Sequence, residues 1–195
     1  QKKTAESIKV TTPYQRKKKS YFASGLMEVK KKVINELEKV CHEDFIFASN
    51  TSSLPLTEMA ESANKPENIV GMHYFSPVNK MPLLEIIKTN KTSNQTLATC
   101  YEIGRKQGKT CIVVNDMPGF YVNRILCPYL VESLLMTEEG VRIEVIDKAL
   151  TNLGMPIGPI ALLDEVGIDI GVHVMSGNMA DLVKERDGFK INYSM

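Results

Sequence analysis

The chain has 195 residues, 43% of them hydrophobic and 24% charged, with 24 basic side chains against 23 acidic ones. That length supports one sizeable core or two small ones, and a net charge of +1 excludes a dominant field of the kind that gathers nucleic acid. No apolar run approaches the ~20 residues needed to cross a bilayer, which reads as a soluble or membrane-peripheral protein.

Residues 1–25 form a basic lead-in, in which Lys2, Lys3, Lys9, Arg16, Lys17, Lys18 and Lys19 face only Glu6 over the first nineteen positions. Such a stretch reads as solvated and disordered. Tyr14 and Tyr21 offer stacking groups without an ordered platform, so charge alone would give only salt-sensitive, non-specific binding and no nucleic-acid partner is expected. The segment also lacks the amphipathic apolar face of a transit peptide.

Leu26, Val29, Val33, Leu37 and Val40 recur at spacings of three and four, which predicts a helix with a lysine-rich outer face. Phe45 to Ala48 predicts a strand, and Ser49-Asn50-Thr51-Ser52-Ser53 places hydroxyls and an amide at its carboxyl end, where open α/β sheets bind ligands. A short helix over Leu56 to Ala63 comes next, then strands over Ile69 to Phe75 and Leu83 to Ile87, separated by a connection bounded by Pro77 and Pro82. Thr92 to Gln107 reads as a helix begun by Ser93 or Asn94 and ended near Gly108, and Thr110 to Val114 as a β-branched fourth strand.

From Pro118 the pattern turns helical, with segments Phe120 to Glu138, Glu144 to Leu153 and Leu162 to Lys184 broken at Gly140, Gly154-Met155-Pro156 and Gly158-Pro159. The expected division is a lead-in over 1–25, an α/β domain over 26–116 and a helical domain over 117–195. Cys41, Cys100, Cys111 and Cys127 are widely spaced without a C-x-x-C pair, which predicts reduced, buried thiols, with neither a disulfide framework nor a metal site.

Two ionisable residues fall within the apolar strands: His73 in Gly71-Met72-His73-Tyr74-Phe75-Ser76-Pro77 and Glu85 in Leu83-Leu84-Glu85-Ile86-Ile87. An ionisable group there is costly without a partner, so the two read as a dyad. A histidine held by a carboxylate has a fixed tautomer and suits removal of a proton from an alcohol.

Together with Phe47-Ala48-Ser49-Asn50-Thr51-Ser52-Ser53-Leu54 and Asp116-Met117-Pro118-Gly119-Phe120-Tyr121-Val122-Asn123-Arg124, these segments resemble in order and spacing the NAD-dependent L-3-hydroxyacyl-CoA dehydrogenases of fatty-acid β-oxidation. The run Met72 to Glu85 looks most like the dehydrogenase region of the mitochondrial trifunctional enzyme α subunit. The resemblance extends from about Val33 to about Val174. It implies a Rossmann-type domain joined to an all-helical domain that builds the acyl-CoA cleft and the dimer contact, here the second half of the sheet and part of the helices.

The resemblance further implies His73 as catalytic base and Glu85 as the carboxylate that orients it, with Ser52 and Asn123 on the substrate. Lys30, Asn50 and Ser76 fall toward the NAD cofactor, Lys30 on its adenosine side and Ser76 where the family often carries asparagine. Beside these stand plainer readings: Ser52 shaping a turn, Asn123 bonding within its helix, Lys30 on a solvated face. Pro118-Gly119 reads as an architectural hinge.

The family's glycine-rich pyrophosphate turn has no counterpart: no G-x-G-x-x-G occurs, and residues 1–25 hold the single glycine Gly25, which sets NAD binding by this chain in question. By resemblance the partners are an acyl-CoA substrate and, in a homo- or hetero-oligomer, β-oxidation subunits, in a mitochondrial location. The alternative is an inactive, truncated paralogue that binds a full-length subunit.

Overall fold

In a computed structural model of the chain, residues 23–52 and 54–167 are described, with side chains from Met27 onward. Residues 1–22, Ser53 and the stretch after Gly167 lie outside the described residues; the last three residues of the expected lead-in, 23–25, belong instead to the first helix. The elements run α1 (Ala23–Val40), β1 (Phe47–Ser49), α2 (Leu56–Glu61), a short 3-10 turn (Pro66–Asn68), β2 (Ile69–Tyr74), β3 (Leu83–Lys88), α3 (Asn94–Lys106), β4 (Thr110–Asn115), α4 (Val122–Glu138), α5 (Ile143–Asn152) and α6 (Pro159–Val166).

The four strands form one mixed sheet in the order β1-β2-β3-β4. β1 and β2 are parallel, β2 and β3 antiparallel, β3 and β4 parallel. Alternation along the strands divides the core into two layers. On one face Ile69 and Ile87 pack with Met27 and Ile34 of α1, Leu56, Met59 and Ala60 of α2, and Phe120. On the other, Val70, Met72, Leu84 and Ile86 pack against Cys100 of α3.

Gly71 and Gly104 allow these layers to approach. A Cβ on Gly71 would lie 2.6 Å from Leu56 Cδ1 and 2.9 Å from Ile87 Cβ, and one on Gly104 would lie 2.7 Å from Leu84 Cδ2.

Helix α1 presents a different face from the one its apolar spacing predicts. Met27 and Ile34 are buried, whereas Val29 and Val40 are exposed by 42% and 80%. A buried stripe through positions seven apart also contains the residues three and four along, which are Lys30 and Lys31. Their stems therefore lie over the sheet layer, and the lysine-rich outer face is not purely an outer one. Lys31 Nζ reaches Glu58 Oε1 of α2 at 2.6 Å.

Element ends depart from the spacing-based reading for local reasons. β1 is displaced toward the C-terminus because its pairing with β2 begins only at Phe47, the preceding residues being drawn into a turn by Phe45 N–H on the His42 carbonyl. α2 stops at Glu61, where the Ser62 hydroxyl donates to the Met59 carbonyl at 2.7 Å. α3 begins after Ser93, whose hydroxyl accepts the Thr96 amide at 3.1 Å, as the capping chemistry of serine dictates.

α4 starts at Val122 and not at Phe120, because Gly119 and Phe120 both hold left-handed backbone, with φ of 71° and 51°. For a non-glycine residue that conformation costs about 1–2 kcal/mol. α6 starts at Pro159, with proline at the first helical position where its missing N–H is harmless. It ends before Gly167, whose φ is 100°; the rest of the helix expected over Leu162 to Lys184 lies outside the described residues.

Four helices, α2, α4, α5 and α6, have no side-chain cap of their own, their N-cap positions being Pro55, Tyr121, Arg142 and Gly158. Of these, α2, α4 and α6 each take a carboxylate from elsewhere. Asp116 Oδ2 accepts the Thr57 amide of α2 at 2.6 Å and the Thr57 hydroxyl at 2.7 Å. Asp147 of α5 accepts the Ile160 and Ala161 amides of α6 at 2.9 and 3.1 Å. A Cβ on Gly158 would collide with the Asp147 side chain. Glu85 serves α4 in the same way.

Cys100 and Cys127 are buried and Cys111 partly so, but Cys41 is exposed, which corrects the expectation that all four thiols are interior. No helix among the described residues is long and apolar enough to cross a membrane.

Candidate active site

The antiparallel register of β2 on β3 sets His73 directly opposite Glu85, where side chains on one face are within contact distance. His73 Nδ1 and Glu85 Oε2 are 2.7 Å apart. Glu85 is fully buried, with 0% exposure, and His73 is 6% exposed.

A buried carboxylate is tolerated only with its oxygens satisfied. The second oxygen, Oε1, accepts the backbone amides of Tyr121 and Val122 at 3.0 and 2.9 Å. Helix α4 has no acidic residue in its first turn, so Glu85 also supplies the charge that complements that end of the helix dipole. With Glu85 as acceptor, Nδ1 is the protonated ring nitrogen and Nε2 carries the lone pair. Nε2 has no hydrogen bond among the described residues.

Two aromatic rings hold the imidazole plane. Phe75 lies with its centroid 4.6 Å from that of His73 and Phe120 at 5.7 Å in an edge-on arrangement. The left-handed backbone at Phe120 is what aims its ring between the imidazole and the core layer under α1 and α2.

The carboxyl ends of parallel β1 and β2 lie on the same side of the sheet. Asn50, one residue past β1, accepts the Tyr74 amide through Oδ1 at 2.9 Å, which ties the β1 turn to the residue after His73. Thr51 is buried and its hydroxyl accepts the Leu54 amide at 2.9 Å, closing the turn. Ser52 is exposed on that turn and makes no hydrogen bond among the described residues.

Lys30 reaches down from α1 to Ser49 Oγ at 3.3 Å, and burial lowers its pKa from the ordinary lysine value. The solvated-face reading of Lys30 does not hold: it is part of the layer over the end of β1.

Ser76 is exposed three residues beyond His73, before a cis peptide bond to Pro77. Its loop is strapped from the far side by Lys109, whose Nζ donates to the carbonyls of Val78 and Met81. Asn123 is half-buried in the first turn of α4 and its side chain makes no hydrogen bond among the described residues, so that side chain is neither a cap nor an internal helix tie.

The structure thus brings His73, Glu85 and the start of α4 into direct contact, links Asn50 to β2, and seats Lys30 on Ser49. Sequence reasoning placed Ser49 in the polar turn but not its contact with Lys30, and missed the two phenylalanines and the amides of Tyr121 and Val122. Ser49 and Phe75 adjoin expected site residues in the chain; Phe120 and the amides carry no local signal. A separate cavity of about 530 Å3 is lined by Thr57, Lys88, Asn94, Asn115 and Asp116 among others and by none of the expected site residues.

The turn after β1 and the end of β2 carry hydroxyl and amide groups of the kind that bond a nicotinamide carboxamide, while Lys30 is engaged with Ser49. Among the described residues the hydroxyls of Ser52 and Ser76 make no hydrogen bond, and Asn50 bonds through its side-chain carbonyl oxygen alone. Among the described residues no glycine-rich loop stands ready to receive a pyrophosphate.

Comparison with known proteins gives the same two halves. Residues 22–117 match the model of the 3-hydroxyacyl-CoA dehydrogenase NAD binding domain, and residues 119–193 that of the 3-hydroxyacyl-CoA dehydrogenase C-terminal domain. Fatty acid oxidation complex subunits alpha of Shewanella baltica and Shewanella amazonensis are 54% and 53% identical over 148 residues, 76% of this chain. The chain spans 21% of the length of these relatives.

Among solved structures, (S)-3-hydroxybutyryl-CoA dehydrogenase from Ralstonia eutropha aligns with a TM-score of 0.76 at 36% identity, covering 82% of this chain and 58% of that one. 3-Hydroxybutyryl-CoA dehydrogenase from Escherichia coli aligns at 0.77 and 34%, covering 82% and 34%. The bacterial origin of the alpha subunits corrects the mitochondrial location inferred from resemblance. Both halves of one family pattern succeed each other here without a gap larger than a single residue, and the chain belongs to the 3-hydroxyacyl-CoA dehydrogenase family.

Proposed function

We propose that this chain is the dehydrogenase section of a fatty-acid-oxidation α subunit and takes part in the NAD-dependent oxidation of L-3-hydroxyacyl-CoA to 3-oxoacyl-CoA. The observation that carries this reading is the buried His73–Glu85 pair, held at 2.7 Å with the second ring nitrogen uncommitted. His73 Nε2 takes the proton of the 3-hydroxyl as the carbonyl forms. Glu85 keeps Nδ1 protonated and pairs with the imidazolium that results. Ser52 and Asn123 hold the substrate oxygen, and Asn50, Ser76 and Lys30 line the cofactor side of the cleft. Nicotinamide, when bound, supplies the acceptor for the hydride leaving C3.

The division of labour matches the two halves: residues 26–116 hold the base and the nicotinamide end, and residues 117–195 contribute the acyl-CoA side and contacts to other β-oxidation subunits. The test is oxidation of NADH with acetoacetyl-CoA, alone and with the amino-terminal half of a related dehydrogenase added in trans. Loss of a positioned general base costs typically 10²–10⁴-fold, so His73→Ala is expected to lower turnover by about that factor. Turnover unchanged in that variant removes His73 from the role.

A second reading, an inactive partner of a full-length subunit, draws on β1. This three-residue strand is paired on one side only among the described residues, and an open edge is a template for another chain. Co-purification with a full-length dehydrogenase, together with no turnover in trans, would favour it; a stable monomer that ignores such a partner would exclude it.

A further inference from the structure

Helix α3 ends in a turn made by Gln107-Gly108-Lys109. Gly108 holds left-handed backbone, with φ of 76°, and an added Cβ there would meet nothing within 4 Å. Its amide donates to the Arg105 carbonyl and the Lys109 amide to that of Gly104, both at 3.0 Å. This pair of bonds is the glycine-closed helix end, which sets the direction of the residue after the glycine. Lys109 is thereby turned onto the loop between β2 and β3, where its Nζ donates to the carbonyl of Val78 and, at 2.7 Å, to that of Met81. Both acceptors are neutral, so these bonds gain from the lysine charge without forming an ion pair.

Gln107, on the same turn, accepts the Tyr74 hydroxyl at 2.7 Å. Tyr74 and Val78 stand at equal distance along the chain on either side of Ser76, so one helix end holds both flanks of Phe75-Ser76-Pro77. Phe75 carries the ring 4.6 Å from the imidazole of His73. The Pro77 carbonyl accepts the Lys80 and Met81 amides at 2.9 and 3.0 Å, which makes the turn gripped by Lys109 continuous with this segment.

We propose that the carboxyl-terminal turn of α3 is a clamp on the segment that follows His73, with Gln107 and Lys109 as positioning residues that hold Phe75 against the imidazole and set Ser76 beside it. Only the approach of Ser76 to a nicotinamide cofactor rests on the function proposed above. The clamp itself stands on geometry.

The experiment measures backbone 15N order parameters, imidazole resonances and NADH affinity by fluorescence in the full chain, comparing Lys109→Met, Lys109→Arg and, as a control on the same helix, Lys106→Met. Residues 76–81 are expected at ~0.85 in the parent chain and below ~0.6 in Lys109→Met, the values of rigid and flexible backbone. The His73 ring resonances, which sense the facing ring of Phe75, move in the same variant. Lys109→Arg keeps the charge and several N–H donors and returns both readouts toward the parent. Lys106→Met loses only an exposed pair with Glu102 and changes neither. NADH affinity is expected to fall about fivefold in Lys109→Met and as far in Ser76→Ala, with the double variant no weaker than the worse single, because both changes remove one shared contact.

Unchanged order parameters in Lys109→Met overturn the clamp, as do unmoved His73 resonances, equal loosening in Lys106→Met or a failure of Lys109→Arg to restore order. Should Lys109→Met fail to fold, Lys109→Gln decides: its shorter side chain cannot span both carbonyls, and the same loss of order is expected. Additive losses of NADH affinity overturn the link from Lys109 to Ser76. Absence of NADH binding in the unsubstituted chain, with the order parameters behaving as stated, refutes the cofactor role of Ser76 and leaves the clamp standing.

Discussion

Gly71→Ala tests the packing that underlies the site. Gly71 lies two residues before His73 on the same strand face, and an added Cβ would meet Leu56 Cδ1 at 2.6 Å, Ile87 Cδ1 at 2.8 Å and Ile87 Cβ at 2.9 Å. The Leu56 methyl can rotate away, but Ile87 Cβ is fixed to the backbone of β3, which is held by β2 and β4. Overpacking of this kind costs about 1–3 kcal/mol. Lower entropy of the unfolded alanine chain returns about 0.4–1 kcal/mol.

At the middle of both ranges the net loss is about 1.3 kcal/mol. With a urea m value of roughly 2 kcal/mol/M, the midpoint should fall by about 0.5–1 M without a change in slope. Adding Leu56→Ala, which opens space at the same contact, should give a double variant less destabilised than the sum of the singles. A Gly71→Ala midpoint equal to or above that of the parent chain, or strict additivity with Leu56→Ala, would refute the close approach of α2 to the sheet.

Asp116→Ala removes both bonds to Thr57 and should cost about 1–2 kcal/mol in a urea titration, the range of a lost helix cap. Gly158→Ala drives a methyl into the carboxylate that caps α6; circular dichroism melting should show a lowered midpoint, and Asp147→Ala should lower it too, with the two effects not adding. Burial pushes the Cys100 thiol from 9.0 up to about 11. Its stabilising contribution is whole below pH 9 and is lost as pH rises toward 11, because the unfolded thiol releases its proton first. The alkaline loss is on the order of 2–3 kcal/mol, and Cys100→Ala should flatten that limb of the stability curve.

The four strands along the chain, the passage from an α/β part to helices and the His73–Glu85 contact were legible in the sequence because they arise from short apolar runs and local spacing. Two short continuous apolar runs carry one ionisable residue each, and a buried ionisable group needs a partner. The buried face of α1 was not legible. Val29 and Val33 satisfy the helical spacing as well as Met27 and Ile34 do, and only the position of the sheet decides between them.

That choice also determines whether Lys30 faces solvent or Ser49. The start of α4 is not legible either, because left-handed backbone at a phenylalanine has no sequence signature, unlike that at Gly119. Gly158-Pro159 reads as a break, although proline at a first helical position is equally a beginning. Asp116 and Glu85 as helix caps are invisible, since their partners lie 59 and 36–37 residues away.

The borrowed caps on α2, α4 and α6 bear on how the chain folds. A short helix is marginal by itself in water, and these three lack the serine or aspartate that would nucleate them locally. Their ends become satisfied only when a distant strand or helix is already in place, so secondary structure in these segments is a product of assembly. For α2 and α4 that means closing loops of tens of residues first, a route that slows folding. The return is all-or-none behaviour: a peptide spanning Val122–Glu138 alone should be largely unstructured, and loss of β3 would release the histidine and the helix together.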